Sequence, residues 1–190
     1  MKFIRTAIPD VIIIEPRVFG DARGYFIETF RQDKLDEFLG FPVNFIQDNE
    51  SKSSYGVLRG LHYQLAPASQ TKLVRVIKGK VLDVAVDIRV GSPTFGQHIS
   101  VELSEQNKRQ MFVPRGFAHG FVVLEDDTIF AYKVDNYYSP ENDRGLAFDD
   151  ASLGIDWLVE KAQLQLSVKD TVQPTLDKAE LFVNAGSLYA

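Results

Sequence analysis

The sequence predicts an all-β fold, a jelly-roll barrel or sandwich with a few short helices. Three observations support this prediction. Short segments of alternating or continuous hydrophobicity recur along most of the chain. Turn-forming residues separate these segments, for example at Lys78-Gly79-Lys80 and Gly91-Ser92-Pro93. Helical periodicity is clear in only one segment, so strands have to supply most of the core.

The predicted strands are short and are bounded by turn residues. The clearest is Val81–Arg89, whose even-numbered residues from Leu82 to Ile88 are all apolar, whereas Asp83 and Asp87 lie on the other face. The remaining predicted strands are Val11–Glu15, Tyr25–Phe30, Phe45–Ser51, Val57–Tyr63, Thr71–Ile77, Gln97–Leu103, Met111–Val113, Phe117–Leu124 and Thr128–Val134.

Helical structure is predicted at two places. In Gln32–Leu39 the apolar residues follow helical spacing and Gly40 comes directly afterwards, as at a helix end. A second short helix is predicted near Ile155–Leu158. We expect the last twenty residues to be irregular.

Length and composition restrict the class of protein. With 190 residues, 45% hydrophobic and 25% charged, we expect a single domain over residues 1–190. No run approaches the ~18 apolar residues that span a bilayer, and no signal peptide is evident, so we expect a cytoplasmic protein without membrane contact. The absence of cysteine excludes disulfides and thiolate chemistry. The net charge of -5 argues against a nucleic-acid surface but allows an anionic small ligand held by a few arginines.

Polar residues on apolar strand faces predict a polar pocket inside the fold. Lys72 shares its face with Val74, and Tyr132 shares its face with Phe130. Glu28 and Gln47 stand in similar positions on their own predicted strands, beside Phe26 and Phe45. Because buried polar groups need partners, several of them in one barrel indicate a common cavity.

Arg59 and His62 lie on opposite faces if their strand is regular, because they are three residues apart. Both can reach the same pocket only if the strand contains a bulge or bend. We expect that irregularity at Gly60.

Two of the three histidines lie in contexts that suggest chemistry, since imidazole moves protons near neutral pH. Pro114-x-Gly116-x-x-His119 is similar to the second signature of the cupins, a jelly-roll superfamily. The place of the first cupin motif holds His62-Tyr63-Gln64, which lacks the histidine pair and glutamate of a metal site, so we expect no bound metal. His98 is expected to be a solvated or hydrogen-bonded strand residue.

The residues alone also allow purely structural roles for these side chains. His62 can equally be a half-buried strand histidine bonded to a carbonyl. Tyr132 can be a barrel aromatic with its hydroxyl at the rim, and Lys72 can extend to water.

A set of ordered motifs adds a resemblance to a known family. The chain carries, in order, Arg23-Gly24-Tyr25-Phe26-x-Glu28, Gln47-x-Asn49-x-Ser51, Arg59-Gly60-Leu61-His62-Tyr63-Gln64, Lys72-Leu73-Val74-Arg75-Val76, Gly79-x-x-x-Asp83-Val84-x-Val86-Asp87-Ile88-Arg89, Pro114-x-Gly116-Phe117-Ala118-His119-Gly120-Phe121 and Tyr132-Lys133. In this order they resemble the pattern of the dTDP-4-dehydrorhamnose 3,5-epimerase family. The closing Ser167-x-Lys169-Asp170 fits as well, so the resemblance covers nearly the whole chain.

The resemblance implies a cupin-type jelly-roll homodimer with shared active sites. Its implied substrate is a dTDP-sugar, dTDP-4-dehydro-6-deoxy-glucose, and no metal or organic cofactor is implied. On the matching positions, His62 is the implied base with Asp170 as its carboxylate partner, and Tyr132 is the implied proton donor. Lys72 is implied to bind the substrate and to stabilise charge on its C4 oxygen. Further substrate contacts are implied at Arg23, Phe26, Glu28, Gln47, Asp48, Asn49, Arg59, His119, Tyr138, Asp143 and Lys169.

The implied chemistry suits these residue types. A 4-ketone acidifies the hydrogens on C3 and C5, so a base and an acid on opposite faces of the sugar suffice for inversion. Four alternatives stay open at this point: an epimerase of C5 alone or C3 alone, a related 3,4-ketoisomerase, a metal-dependent cupin oxygenase, and a non-catalytic sugar-binding barrel.

Overall fold

The computed structural model describes residues 1–183 and 188–189. Within these residues there are thirteen β-strands, one α-helix and two single 3-10 turns. The elements are β1 Lys2–Arg5, β2 Ile12–Glu15, β3 Val18–Asp21, β4 Gly24–Ile27, α1 Gln32–Leu39, β5 Gln47–Ser53, β6 Leu58–Gln64, β7 Lys72–Lys78, β8 Lys80–Asp87, β9 His98–Ser104, β10 Gln110–Val113, β11 Phe117–Val123, β12 Thr128–Val134 and β13 Asp143–Gly145, with 3-10 turns at Lys161–Gln163 and Lys169–Thr171.

Two antiparallel sheets face each other and form the predicted jelly roll. The first has the strand order β1-β2-β10-β7-β12-β5, and the second has the order β13-β6-β11-β8-β9. The apolar cluster between them draws on both sheets, for example Val74 and Phe130 from the first and Ala85 and Phe121 from the second. The all-β prediction is therefore confirmed.

Each sheet is also covered on part of its outer face. Helix α1 has the predicted bounds and packs Leu35 against Ile12, Leu73 and Phe112 of the first sheet. The chain from residue 146 to residue 182 packs Leu153 and other apolar residues over the second sheet. The second sheet therefore packs against the first sheet on one side and against this segment on the other. For this reason both faces of the alternating strand β8 are buried.

A third, two-stranded sheet is not hydrogen-bonded to either sheet of the sandwich. It is the hairpin formed by β3 and β4, in which Phe19 pairs with Phe26. All residues of this hairpin except Ile27 are exposed.

The short helix predicted near Ile155–Leu158 is wrong, because this segment is an irregular loop. Leu158 has φ of 59°, a left-handed conformation that a right-handed helix excludes. Trp157 instead anchors the loop: it is buried, and its indole N–H donates to the carbonyl of Phe148 at 2.8 Å.

The irregular structure predicted for the end of the chain is confirmed over residues 172–183, where Phe182 forms only an isolated bridge with Arg89. Residues 184–187 and 190 lie outside the described residues.

Candidate active site

A cavity of about 500 Å³ lies between the two sheets. This volume is in the range of small-molecule sites. Six of the residues singled out from the sequence line it: Arg59, His62, Lys72, His119, Tyr132 and Asp170. The pocket predicted from polar residues on inward strand faces is therefore present.

A bulge in β6 brings Arg59 and His62 to the same wall. On β11 their partners Phe121 and His119 are two residues apart, whereas Arg59 and His62 are three residues apart. The one extra residue on β6 reverses the side-chain alternation between them. The bulge expected near Gly60 is confirmed.

Gly60 makes this bulge sterically possible. Its φ is 136°, and a Cβ placed there would lie 2.5 Å from the Cα of Gly120 on β11. The two backbones therefore approach more closely than any other residue type at position 60 allows.

We expect Gly60→Ala to lower the free energy of unfolding by about 3 kcal/mol, from the strained φ and the clash together. Urea denaturation measures the loss. Gly91→Ala is the matched control: Gly91 also has a positive φ, 85°, but no atom lies within 4 Å of its Cβ position. The control should lose only about 1 kcal/mol. Equal losses in the two variants would show that the close approach of β6 and β11 has no energetic role.

His62 and Asp170 form a hydrogen-bonded pair at one wall of the cavity. His62 Nε2 lies 2.5 Å from Oδ1 of Asp170, whose other oxygen accepts from the Ser167 hydroxyl at 2.7 Å. Burial tends to raise the pKa of Asp170, but the hydrogen bonds from His62 and Ser167 outweigh it and bring the pKa below its ordinary value. Asp170 is thus an ionised partner that favours an imidazolium, and Nδ1 of His62 is left to take a proton.

Asp170 reaches His62 because the C-terminal segment is tied to the start of β6. Val57 and Gln165 form a parallel bridge. The Leu58 N–H donates to the carbonyl of Gln165 at 3.0 Å, and the Gln165 N–H donates to the carbonyl of Gly56 at 2.8 Å. The 3-10 turn Lys169–Thr171, which carries Asp170, begins four residues after Gln165.

Lys72 points its ammonium into the cavity from the first sheet. Burial lowers the pKa of Lys72 to about 8. Its Nζ forms no hydrogen bond or ion pair with any residue that the structure describes. An unpartnered cation in a partly dry cavity is suited to stabilise an anionic oxygen of an occupant.

Tyr132 lies on β12 of the first sheet, across the cavity from His62 on β6 of the second. Burial raises the pKa of Tyr132, and the charge of Arg59 opposes this only in part. The phenol therefore keeps its proton at neutral pH. Its hydroxyl has no hydrogen-bond partner within the described part of the chain, so it is available to an occupant.

His119 forms a second pair with a carboxylate that the sequence interpretation missed. Its Nε2 lies 2.7 Å from Oδ1 of Asp83, and both side chains are buried. The sequence does contain an indication of this pair: Asp83 lies on the β8 face that also carries Val81 and Ala85, and this face points between the sheets. An acid in the middle of such a face needs a partner.

The other implied contacts are not brought to this cavity. Arg23 and Phe26 lie on the exposed β3–β4 hairpin, and Glu28 follows it, also exposed. Arg23 is paired with Asp21 at 2.6 Å.

On β5, Gln47 donates to the side-chain oxygen of Asn49 at 2.8 Å, and Asp48 accepts from Lys133 at 2.8 Å. Their strand neighbours Glu50 and Ser51 line the cavity instead.

Tyr138, Asp143 and Lys169 form a cluster close to Asp170. The Tyr138 hydroxyl donates to Asp143 Oδ2 at 3.0 Å, and Lys169 pairs with the same oxygen. His98 lies on β9 and does not line the cavity.

Among the described residues, no group of three or more carboxylate or histidine side chains is arranged to hold a metal ion. No helix in residues 1–183 has the length and apolar character needed to traverse a lipid bilayer.

Known proteins resemble this chain over nearly its whole length. A family model described as dTDP-4-dehydrorhamnose 3,5-epimerase matches residues 5–178. The Escherichia coli protein of that description is 53% identical over 178 residues, covering 94% of this chain and 96% of the relative. A crystal structure of a 3,5-epimerase from Legionella pneumophila, in complex with dTDP-4-keto-L-rhamnose, has a TM-score of 0.92 and 49% identity, covering 96% of this chain and 97% of that one. A 3'-monoepimerase from Streptomyces bikiniensis, in complex with dTDP-quinovose, has a TM-score of 0.85 and 32% identity, covering 90% of this chain and 86% of that one.

Proposed function

The chain belongs to the dTDP-4-dehydrorhamnose 3,5-epimerase family, and from this premise we propose how its residues invert C3 and C5 of dTDP-4-dehydro-6-deoxy-glucose. One observation carries the proposal: His62 and Tyr132 face a single cavity from opposite sheets. Inversion requires proton removal from one face of a carbon and proton delivery to the other. A base and an acid on opposite walls meet that requirement.

In the proposed reaction, Nδ1 of neutral His62 takes the proton from C5 or C3, and the electrons move onto the C4 oxygen as an enolate. Asp170 stabilises the resulting imidazolium. The ammonium of Lys72 stabilises the enolate oxygen, an effect of about 3 kcal/mol for one oxyanion partner. Tyr132 then delivers its proton to the opposite face of the same carbon. Because one base serves two carbons, the sugar has to re-orient between the two steps.

Proton NMR in deuterated water with dTDP-4-dehydro-6-deoxy-glucose tests the function. The expected result is deuterium at both C3 and C5, with inversion at both carbons. Exchange at one carbon alone would make the chain a monoepimerase like the 32% identical neighbour. Binding without any exchange would reduce it to a sugar-binding barrel.

The proposal gives a pH dependence on the alkaline side. Lys72 has a pKa of about 8, so its ammonium is present below that pH and is lost above it. We expect kcat/KM, which reports the free enzyme, to fall above about pH 8. Lys72→Arg keeps its charge to much higher pH. The variant should have a lower maximal kcat/KM, but its kcat/KM should not fall near pH 8. If kcat/KM still fell near pH 8 in this variant, the fall would belong to the titration of another group.

We further propose a homodimer in which the hairpin of one copy covers part of the other copy's cavity. An isolated two-stranded hairpin is marginally stable in water. Here it also exposes four large apolar side chains by 44–69%: Val18, Phe19, Tyr25 and Phe26. A second copy that covers them would bring Arg23, Phe26 and Glu28, which the family resemblance implies as substrate contacts, to the partner's cavity.

We expect Phe26→Asp to weaken the dimer and raise KM for the dTDP-sugar at least about tenfold, since it places a charge in an apolar contact. Sedimentation velocity and steady-state kinetics measure the two effects. Leu158→Asp is the matched control, because Leu158 is 60% exposed and lies outside the hairpin. A Phe26→Asp protein that stays dimeric with unchanged KM would contradict the shared site.

A further inference from the structure

Asp83 stands out among the buried groups of the site. Its side chain is wholly buried, with Oδ1 2.7 Å from His119 Nε2. Its Oδ2 is the one buried side-chain N or O atom in the described residues that has no hydrogen-bond partner. The mechanism proposed above does not use Asp83.

The unpartnered oxygen indicates which atom carries the proton. A carboxylate oxygen that is buried without a partner costs several kcal/mol, because its charge has lost its water. A neutral carboxyl group whose O–H is Oδ1 leaves Oδ2 as a carbonyl oxygen, which costs much less to leave unpaired. Burial also raises the pKa of Asp83, although His119 and Lys72 oppose this, and burial lowers the pKa of His119. Each shift favours the uncharged form.

We infer that Asp83 is a protonated positioning residue whose Oδ1–H donates to Nε2 of a neutral His119, so that His119 presents its Nδ1–H to the cavity. His119 lines the cavity, and Asp83 occupies its other nitrogen. The N–H is thus a neutral donor for a hydroxyl or carbonyl oxygen of the bound molecule. Only the identity of that molecule as a sugar rests on the proposed function.

The surrounding charges are compatible with this state. Lys72 on β7 faces the pair but forms no ion pair with Asp83 among the described contacts. On β6, His62 is paired with Asp170, and beyond it Asp143 is paired with Lys169. Tyr132 on β12 keeps its proton.

The arrangement has a consequence for catalysis. A His119 that already carries its proton on Nδ1 cannot compete with His62 as a base at the cavity. A neutral ring also adds no positive charge to oppose the imidazolium that forms on His62. One cavity can then hold two histidines with only one acting as the base.

Nitrogen-15 NMR of histidine-labelled protein, without any substrate, tests the protonation state directly. We expect His119 at pH 7 to show a protonated Nδ1 and an unprotonated Nε2, with the resonances assigned through loss of signal in His119→Gln. Protonation of both nitrogens would indicate an ion pair with Asp83, and a proton on Nε2 alone would indicate an ionised Asp83. Either result overturns the inference.

Two substitutions at position 83 provide a kinetic test. In Asp83→Asn the amide N–H can donate to Nε2 as the carboxyl group does, so kcat/KM should fall less than about tenfold. In Asp83→Leu the O–H that donates to His119 is lost, and the tautomer of His119 is no longer fixed. We therefore expect kcat/KM to fall about 100-fold, the effect of losing one aligned donor to the bound molecule. Losses of equal size in the two variants would contradict a role for a neutral donor at position 83. If the wild-type chain does not exchange the sugar protons at all, the proposed function fails, while the NMR result still decides the state of Asp83.

Discussion

We expect His62→Asn to lower the rate of proton exchange at both C3 and C5 by roughly 10⁴-fold, the upper range for loss of a general base. Asparagine is the informative substitution because its amide N–H can still donate to Asp170, which lies 2.5 Å from the imidazole. The variant therefore keeps the buried carboxylate paired while it removes the group that accepts the proton. Deuterium incorporation from solvent, followed by proton NMR, measures both carbons in one experiment.

The third histidine offers the control for this variant. His98 lies partly buried on β9, outside the cavity, so His98→Asn should leave both exchange rates within about twofold of the wild type. If His62→Asn still exchanged C5 but not C3, each carbon would have its own base. Undiminished exchange at both carbons would remove His62 from the mechanism.

The sandwich could be predicted from the sequence because its strands alternate clearly and turn residues separate them. Strands such as Val81–Arg89 have a periodicity that no helix can satisfy. The strands β1, β3 and β13 were missed. Each has only three or four residues and lacks the run of three apolar residues that made the equally short β2 and β10 predictable.

The inner walls of the site could be predicted for the same reason, since alternation fixes which side chains point between the sheets. It places Lys72 and Tyr132 inward, and the conflict between Arg59 and His62 located the bulge at Gly60. The bulge was predictable because two residues that are three positions apart on a regular strand point to opposite faces. Both can point inward only if the register changes between them.

The pairs that set protonation could not be predicted from local patterns. Asp170 lies 108 residues from His62, and its own segment, Ser167–Asp170, looks like an ordinary loop. Only the resemblance to a family pointed to it. The Asp83–His119 pair joins two neighbouring strands through their register, which periodicity does not specify.

We expect Tyr132→Phe to lower net inversion about 10³-fold while solvent exchange continues. The phenyl ring retains the contacts of Tyr132 with Phe130, whose ring centroid lies 6.1 Å away, so the cavity keeps its shape. His62 can still remove a proton, and the enolate can regain a deuteron from the same nitrogen. Deuterium should therefore enter C3 and C5 with retention of configuration, and the ratio of exchange to inversion should rise by two to three orders of magnitude, roughly the contribution of one general acid.

Tyr63→Phe is the matched control for this ratio. Tyr63 is also a buried tyrosine, but it packs on the outer side of the second sheet, where its hydroxyl donates to the carbonyl of Glu180 at 2.6 Å. Loss of that hydrogen bond should cost about 1 kcal/mol of unfolding free energy and leave the ratio of exchange to inversion unchanged. Because His62 and Tyr132 stand on opposite sheets, only removal of the phenol should separate proton removal from proton delivery. If exchange and inversion fell together in Tyr132→Phe, Tyr132 would be required before the proton leaves carbon, and the donor on that wall would have to be another group.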